Sequence, residues 1–233
     1  MRADTIVILT GAGISKESGL ATFRDADGIW ARVRIEDVAT PEAFARDPAR
    51  VHAFYNARRR QLPTARPNAA HRALARLQKR WPGQVLLVTQ NIDDLHERAG
   101  AVAVHMHGEL GRARCTHCGA VRRWEGDLSP ATPCPSCGAV GGMRPHVVWF
   151  GEMPMEMDRI RDTLAACDLF VAIGTSAQVH PAAGFVAEVR GRAATLELNL
   201  EPTAASDLFD EARHGPATLL VPAWVDEILH DAG

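Results

Sequence analysis

Four short apolar runs, at residues 5–9, 84–89, 169–173 and 195–199, constrain this chain more than any other feature. Each is too short for a stable helix, and those at 5–9 and 84–89 are too apolar for a surface strand. Such runs read as strands buried on both faces, the situation of a parallel sheet. A weaker run at 102–106 reads as a further strand, and 218–221 as one more near the end. Helical patterns lie between them. Pro41 to about Gln61 reads as helix, divided by Pro48, with Thr40 as a cap. Further helices are expected from Asn68 to about Arg80, and at 94–99, 156–166, about 181–190 and 223–230. A brief helix start is expected at 16–18, whereas 22–40 and 115–137 show no clear period. Strands alternating with helices predict an α/β chain built on a parallel sheet.

The runs share a second property, which is that each ends in glycine or polar residues. The endings are 10–15, 89–93, 174–176 and 199–201. Ligands of open parallel sheets bind beyond the carboxyl ends of the strands, so this coincidence points to a nucleotide site. Gly11-Ala12-Gly13 after a buried strand lets a backbone approach a pyrophosphate closely. Alone it is weak evidence, because a Gly-Ala-Gly turn also serves purely structural ends. The usual third glycine is missing, and Lys16 stands in its place.

Cys115-x-x-Cys118 and Cys134-x-x-Cys137 stand fifteen residues apart, each pair followed by a glycine, Gly119 and Gly138. Four thiolates on two tight turns make a closed tetrahedral site for a structural zinc ion. The competing reading is two redox pairs. Cys167, within an apolar stretch, reads as a buried small hydrophobe. Net charge is −2 over 233 residues, so nothing draws the chain as a whole to nucleic acid or membrane. The arginines around the cysteines, Arg112, Arg114, Arg122 and Arg123, lack the aromatic residues of a nucleic-acid surface. The first apolar run is too short for a secretory leader or a membrane span, and a reducing cytoplasmic location is expected.

Taken together, Gly11-Ala12-Gly13-Ile14-Ser15, Gly19-Leu20-Ala21-Thr22-Phe23-Arg24, Gln90-Asn91-Ile92-Asp93, His107-Gly108-Glu109, the four cysteines and Gly174-Thr175-Ser176 occur in the order of the sirtuin family. The resemblance covers essentially the whole chain. It implies a Rossmann-like parallel sheet with a smaller inserted helical and zinc-binding lobe. The implied division is an NAD-binding domain at 1–24, 67–110 and 145–233, a helical insertion at 25–66 and a zinc-binding insertion at 111–144. The sequence resembles the bacterial class III type through Tyr55-x-x-Arg58, to which that class owes its preference for succinyl- and malonyl-lysine. The spacing puts both side chains on one helix face, where a guanidinium and a phenol can grip a carboxylate. Ala39 matches the small residue of the same pocket. Arg59 and Arg60 follow directly, so a plain solvated basic helix is the competing reading. Arg144 to Glu152 resembles a stretch that pairs with an extended substrate peptide.

The resemblance implies NAD-dependent removal of acyl groups from lysines of other proteins, giving nicotinamide and O-acyl-ADP-ribose. His107 is implied as the general base and Asn91 as catalytic beside it; an imidazole suits proton transfer near neutrality. His105 competes by position, but the family motif is His-Gly. The implied cofactor contacts are Gly11, Ala12, Gly13, Ser15, Phe23, Arg24, Trp30, Gln90, Asn91, Ile92, Asp93, Gly174, Thr175, Ser176, Asn199, Leu200, Glu201 and Ala217. A monomer acting on acylated proteins is expected, with neither nucleic acid nor membrane as partner. Mono-ADP-ribosylation and a non-enzymatic binding module are the alternatives, and intact His107 and Asn91 speak against the second.

Overall fold

The computed structural model describes residues 4–20 and 33–231. Among these, the main sheet has six parallel strands: β1 (Thr5–Thr10), β2 (Gln84–Thr89), β3 (Ala103–His105), β7 (Leu169–Ile173), β8 (Ala194–Asn199) and β9 (Glu211–His214). Their order is β3-β2-β1-β7-β8-β9. The chain therefore runs outward from β1 on one side and from β7 on the other. The crevice beyond the ends of β1 and β7 is the topological switch point, where such sheets bind ligands.

Alternation along β1 fills both faces. Ile6 and Ile8 pack with α5 (Ala69–Arg80) and α9 (Ala217–Asp231). Val7 and Leu9 pack on the other face with α7 (Met157–Ala166) and α8 (Phe185–Val189). A strand buried on both sides must be apolar throughout, which is why these runs were legible. A brief 3-10 turn, Ala182–Gly184, precedes α8. Asn68 caps α5 by accepting from the Ala70 amide at 2.9 Å.

A smaller lobe sits above the strand ends. Its helices are α2 (Ile35–Val38), α3 (Pro41–Arg46) and α4 (Pro48–Gln61), with Thr40 and Asp47 as side-chain caps and a proline opening each of α3 and α4. An antiparallel sheet of β5 (Val121–Arg123), β4 (Gly108–Cys115) and β6 (Met143–Val147) completes the lobe. Val38, Val51, Phe54 and Tyr55 from the helices close on Leu110, Val147 and Trp149. Asn56 and Arg59 fasten α4 to the loop between the cysteine pairs. The Asn56 carboxamide donates to the Leu128 carbonyl at 2.8 Å, and Arg59 donates to the carbonyls of Leu110 and Gly126.

Several expectations are corrected. Residues 218–221 are helical, inside α9, and the last strand is β9. Val221, Trp224 and Val225 are buried at i, i+3 and i+4, whereas Leu219 is exposed. A three-residue apolar run does not distinguish that helical face from a strand. β9 is a mostly exposed edge, so it has no reason to be apolar. The first helix, α1 (Gly13–Lys16), begins inside the glycine loop instead of after it. The stretch expected to be irregular before residue 40 holds α2, and the cysteine region 115–137 holds β5 and the end of β4. The short helix after β2, α6, is Leu95–Arg98.

Candidate active site

Three strand ends are locked together at the switch point. The Gly11 amide donates to the Ile173 carbonyl at 3.0 Å, and the Gly13 amide to the Gly174 carbonyl at 2.8 Å. A Cβ on Gly11 would lie 2.7 Å from the Gly174 oxygen, and one on Gly13 would lie 2.7 Å from the Gly174 Cα. Gly174 itself has φ +59°, a conformation that favours glycine. The missing side chains of Gly11 and Gly13 thus make room for the second loop, a constraint separate from any ligand. Gln90 reaches the same loop, its amide donating to Thr175 Oγ1 at 3.1 Å. Ala12, Ile92 and Ser176 are half-buried around this crossing, and Lys16 is exposed.

Beneath the crossing lies a buried polar network. Asn91 Nδ2 donates to the Gly11 carbonyl at 3.1 Å and to Ser15 Oγ at 3.2 Å. Ser15 Oγ donates to Asp93 Oδ2 at 3.1 Å. Asp93 also accepts from the Leu95 amide, yet burial outweighs these bonds and pushes its carboxyl above the usual range. His71 Nε2 lies 3.4 Å from Ser15 Oγ, and the His71 ring packs against His96 at 4.9 Å. His96 in turn meets Thr10 Oγ1 at 3.0 Å. Burial lowers His71 to about 4 and His96 to about 3, so both are neutral supports. His71, His96 and Thr10 were not among the sequence candidates. The only local sign was an imidazole three residues after the Asn68 cap.

His105 ends β3 and His107 lies in the turn that follows, and their pKa values move in opposite directions. His107 Nδ1 lies 3.1 Å from the Gln90 carbonyl. A carbonyl can only accept, so Nδ1 carries the hydrogen and Nε2 keeps a lone pair. Burial lowers the His107 pKa, with the Gln90 bond opposing in part. His105 bridges the Asn91 carbonyl at 3.0 Å and Glu97 Oε1 at 3.1 Å. Burial lowers its pKa as well, but the Glu97 bond and charge win and the net shift is upward. His105 is anchored at both ring nitrogens, and His107 keeps a basic nitrogen without a hydrogen-bond partner among the described residues.

Tyr55, Arg58 and Ala39 lie in the smaller lobe. Tyr55 and Ala39 are buried, and Arg58 is half-buried with its guanidinium 5.8 Å from the Phe54 ring centre. Burial lowers the Arg58 pKa, with the neighbouring Tyr55 and Asp93 opposing the shift. Beyond β6, the amides of Val148, Trp149 and Phe150 donate to the His107 carbonyl, Glu152 and the Ala39 carbonyl respectively. These three amides are therefore committed within the chain.

At the far end of the crevice, Asn199 Nδ2 donates to the Thr175 carbonyl at 2.7 Å, and its oxygen accepts from the Leu200 amide. Asn199 thus braces the β7 loop. Leu200 and Glu201 are exposed, and Ala217 is half-buried as the first residue of α9. Phe23, Arg24 and Trp30 lie outside the described residues.

The sulfur atoms of Cys115, Cys118, Cys134 and Cys137 lie within 4.8 Å of one another. Cys115 meets Cys137, and Cys118 meets Cys134, each at 3.8 Å. A disulfide needs about 2.05 Å. A tetrahedron with metal–sulfur bonds of about 2.3 Å has edges of about 3.8 Å, so the set fits zinc. All four sulfurs share one cluster that joins the two motifs, the arrangement of a four-thiolate site and not of two separate redox pairs. Cys115 and Cys134 also belong to a small core with Ala113, Leu128 and Met143. Cys167 is buried in the main core, as its surroundings in the sequence implied.

A model of the Sir2 family matches residues 11–181. The NAD-dependent protein deacylase of Caulobacter vibrioides is 58% identical over 229 residues, covering 96% of each chain. That of Escherichia coli K12 is 55% identical, covering 98% of this chain and 84% of the other. A crystal structure of a Sir2 homologue in complex with NAD is 39% identical, with a TM-score of 0.90 over 99% of this chain and 91% of that one. Likeness of this extent, in both sequence and fold, means that the chain belongs to the Sir2 family.

Proposed function

We propose that this protein is an NAD-dependent lysine deacylase that acts on acylated lysines of other proteins and accepts acidic acyl groups as well as acetyl. The observation that carries the chemistry is His107. Its tautomer is set by Gln90, its basic Nε2 has no hydrogen-bond partner among the described residues, and it stands beside the switch point where Asn91, Ser15 and Asp93 converge. Deacylase relatives more than half identical over nearly the whole chain support the same reading.

NAD supplies the electrophilic ribose carbon from which nicotinamide leaves when the acyl oxygen attacks. Asn91 and Asp93 offer amide and carboxylate groups to a nicotinamide and its ribose. Gly11, Ala12, Gly13, Ser15, Gly174, Thr175 and Ser176 line the phosphate side, and Asn199, Leu200, Glu201 and Ala217 the adenosine side. His107 takes a proton from a hydroxyl at Nε2, and Gln90 steadies the imidazolium that forms. Tyr55 and Arg58 take the carboxylate of a succinyl or malonyl chain, and Ala39 leaves it room. Zinc ties the two cysteine turns together and has no open position for chemistry. In this reading residues 1–24, 67–110 and 145–233 bind NAD, while 25–66 and 111–144 form the helical and zinc-binding insertions. The protein works as a cytoplasmic monomer, and no helix among the described residues is long and apolar enough to cross a membrane.

The test is turnover of acetyl-, succinyl- and malonyl-lysine forms of one peptide. Arg58→Met is expected to cut kcat/KM for the acidic forms relative to acetyl by more than tenfold, and His107→Ala to abolish turnover of all three. Undiminished succinyl preference in Arg58→Met would overturn the pocket. Full turnover in His107→Ala would overturn the base.

A further inference from the structure

Tyr55 is held by a side chain that is itself buried. The indole Nε1 of Trp149 donates to the Tyr55 hydroxyl at 3.0 Å, between residues 94 positions apart. Trp149 is 2% exposed and Tyr55 is 4% exposed. An indole N–H can donate but never accept. The phenol oxygen must therefore accept on that side, and its single proton must point elsewhere.

Trp149 is fixed in turn from behind. The Arg144 guanidinium lies 3.2 Å from its ring centre. Glu152 grips Arg144 with two bonds, at 2.7 and 2.9 Å, and accepts from the Trp149 amide at 2.8 Å. Arg114 donates to the same carboxylate at 2.8 Å. Phe44 closes the assembly with its ring 5.2 Å from that of Trp149. Arg144 also donates to the Val147 carbonyl at 2.9 Å, and the indole hydrogen of Trp149 is aimed at Tyr55.

We propose that Trp149 is a positioning residue for acyl selectivity: its N–H locks the Tyr55 hydroxyl as an acceptor on one side, so that the phenol proton is presented to the carboxylate of an acidic acyl chain. The inference rests on the reading of Tyr55 and Arg58 as the acyl pocket. Burial supports it by pushing the Tyr55 pKa up to about 12, which keeps that proton in place across the working pH range. A tryptophan that only filled space would cost every acyl group alike.

The experiment is a double-mutant cycle of Trp149→Phe and Tyr55→Phe, reading KM and kcat separately for succinyl- and acetyl-lysine forms of one peptide at saturating NAD. Trp149→Phe is expected to raise the succinyl KM about fivefold more than the acetyl KM, the factor equivalent to one hydrogen bond of about 1 kcal/mol. On the Tyr55→Phe background it is expected to cause no further loss of discrimination. Equal effects on both acyl groups, or a selective effect that persists without the phenol, would overturn the proposal. If Tyr55→Phe alone leaves discrimination intact, the acyl-pocket reading falls first. Should Trp149→Phe fold poorly, benzothienylalanine at position 149 keeps the bicyclic outline without the N–H, and the same comparison decides.

Discussion

Replacing Gly11 by alanine puts a methyl group where the loop after β7 already runs. The new Cβ would lie 2.7 Å from the Gly174 oxygen, 2.9 Å from the Thr175 Cα and 3.1 Å from the Thr175 Cβ. Ordinary contact begins at 3.4 Å, so the nearest atom is about 0.7 Å too close. That atom and the next belong to backbone and cannot rotate away, so the two loops must part. Overpacking of this kind costs about 2 kcal/mol. For a chain of this size, each kcal/mol lowers Tm by about 2–4 °C, which predicts a fall of about 4–8 °C. The parting also lengthens the bond from the Gly13 amide to Gly174 and the bond from Gln90 to Thr175. These bonds hold the strand ends in register, so NAD affinity should fall about tenfold, near 1.4 kcal/mol. Thermal unfolding and calorimetric titration of NAD without peptide measure the two effects. Gly111→Ala is the control, because nothing among the described residues lies within 4 Å of its Cβ; it should change stability by no more than about 0.5 kcal/mol. Unchanged Tm and NAD affinity in Gly11→Ala would refute the claim that the loop crossing is rigid.

Three other outcomes follow from the same structure. Burial lowers the His107 pKa, so the base stays neutral above it and is lost as pH falls; the acid limb of kcat/KM should be centred below pH 6.5, and a midpoint above that value contradicts the assignment. His52 is buried with both ring nitrogens lacking partners among the described residues, and burial, then the Arg59 charge, lowers its pKa to about 4. The unfolded chain takes up this proton near pH 6.5 and the folded chain does not, so this contribution to stability is lost as pH falls from about 6.5 to about 4. His52→Leu removes that loss, and its Tm advantage over the parent should widen between pH 7 and pH 5; a constant gap refutes the reading. Cys134→Ala should abolish stoichiometric zinc and raise amide exchange in β4 and β6 while β1 and β7 stay protected; retention of one zinc per chain would count against the four-thiolate site.

Much of the fold was legible because the main sheet is parallel. β1, β2 and β7 pack apolar side chains on both faces and stand out as short apolar runs, whereas β8 alternates, with Leu196 and Leu198 in the core and Thr195 and Glu197 buried among polar partners. β9 escaped because an exposed edge strand, Glu211-Ala212-Arg213-His214, has no such demand. The segment 218–221 was misread because three apolar residues in a row carry no period. Only packing of Val221, Trp224 and Val225 beneath α5 and the sheet shows the helix. The cysteine site was legible because a metal imposes its own spacing on the turns that hold it.

The site divides along the same line. The residues themselves announced the glycine turns at the strand ends and the cysteine pairs, while His107 and the Tyr55-x-x-Arg58 helix face were singled out by the family resemblance. What each does was decided by partners far away in the chain. Gly11 and Gly13 are glycines because Gly174 passes over them. Among the described residues His107 rather than His105 keeps an unbonded nitrogen, because one meets only a carbonyl and the other also meets Glu97. The role of the Tyr55 hydroxyl depends on Trp149 on another element. A local pattern specifies which groups a chain can offer. Their protonation, their donor or acceptor role and the space around them depend on desolvation and on contacts that exist only once the chain has closed on itself.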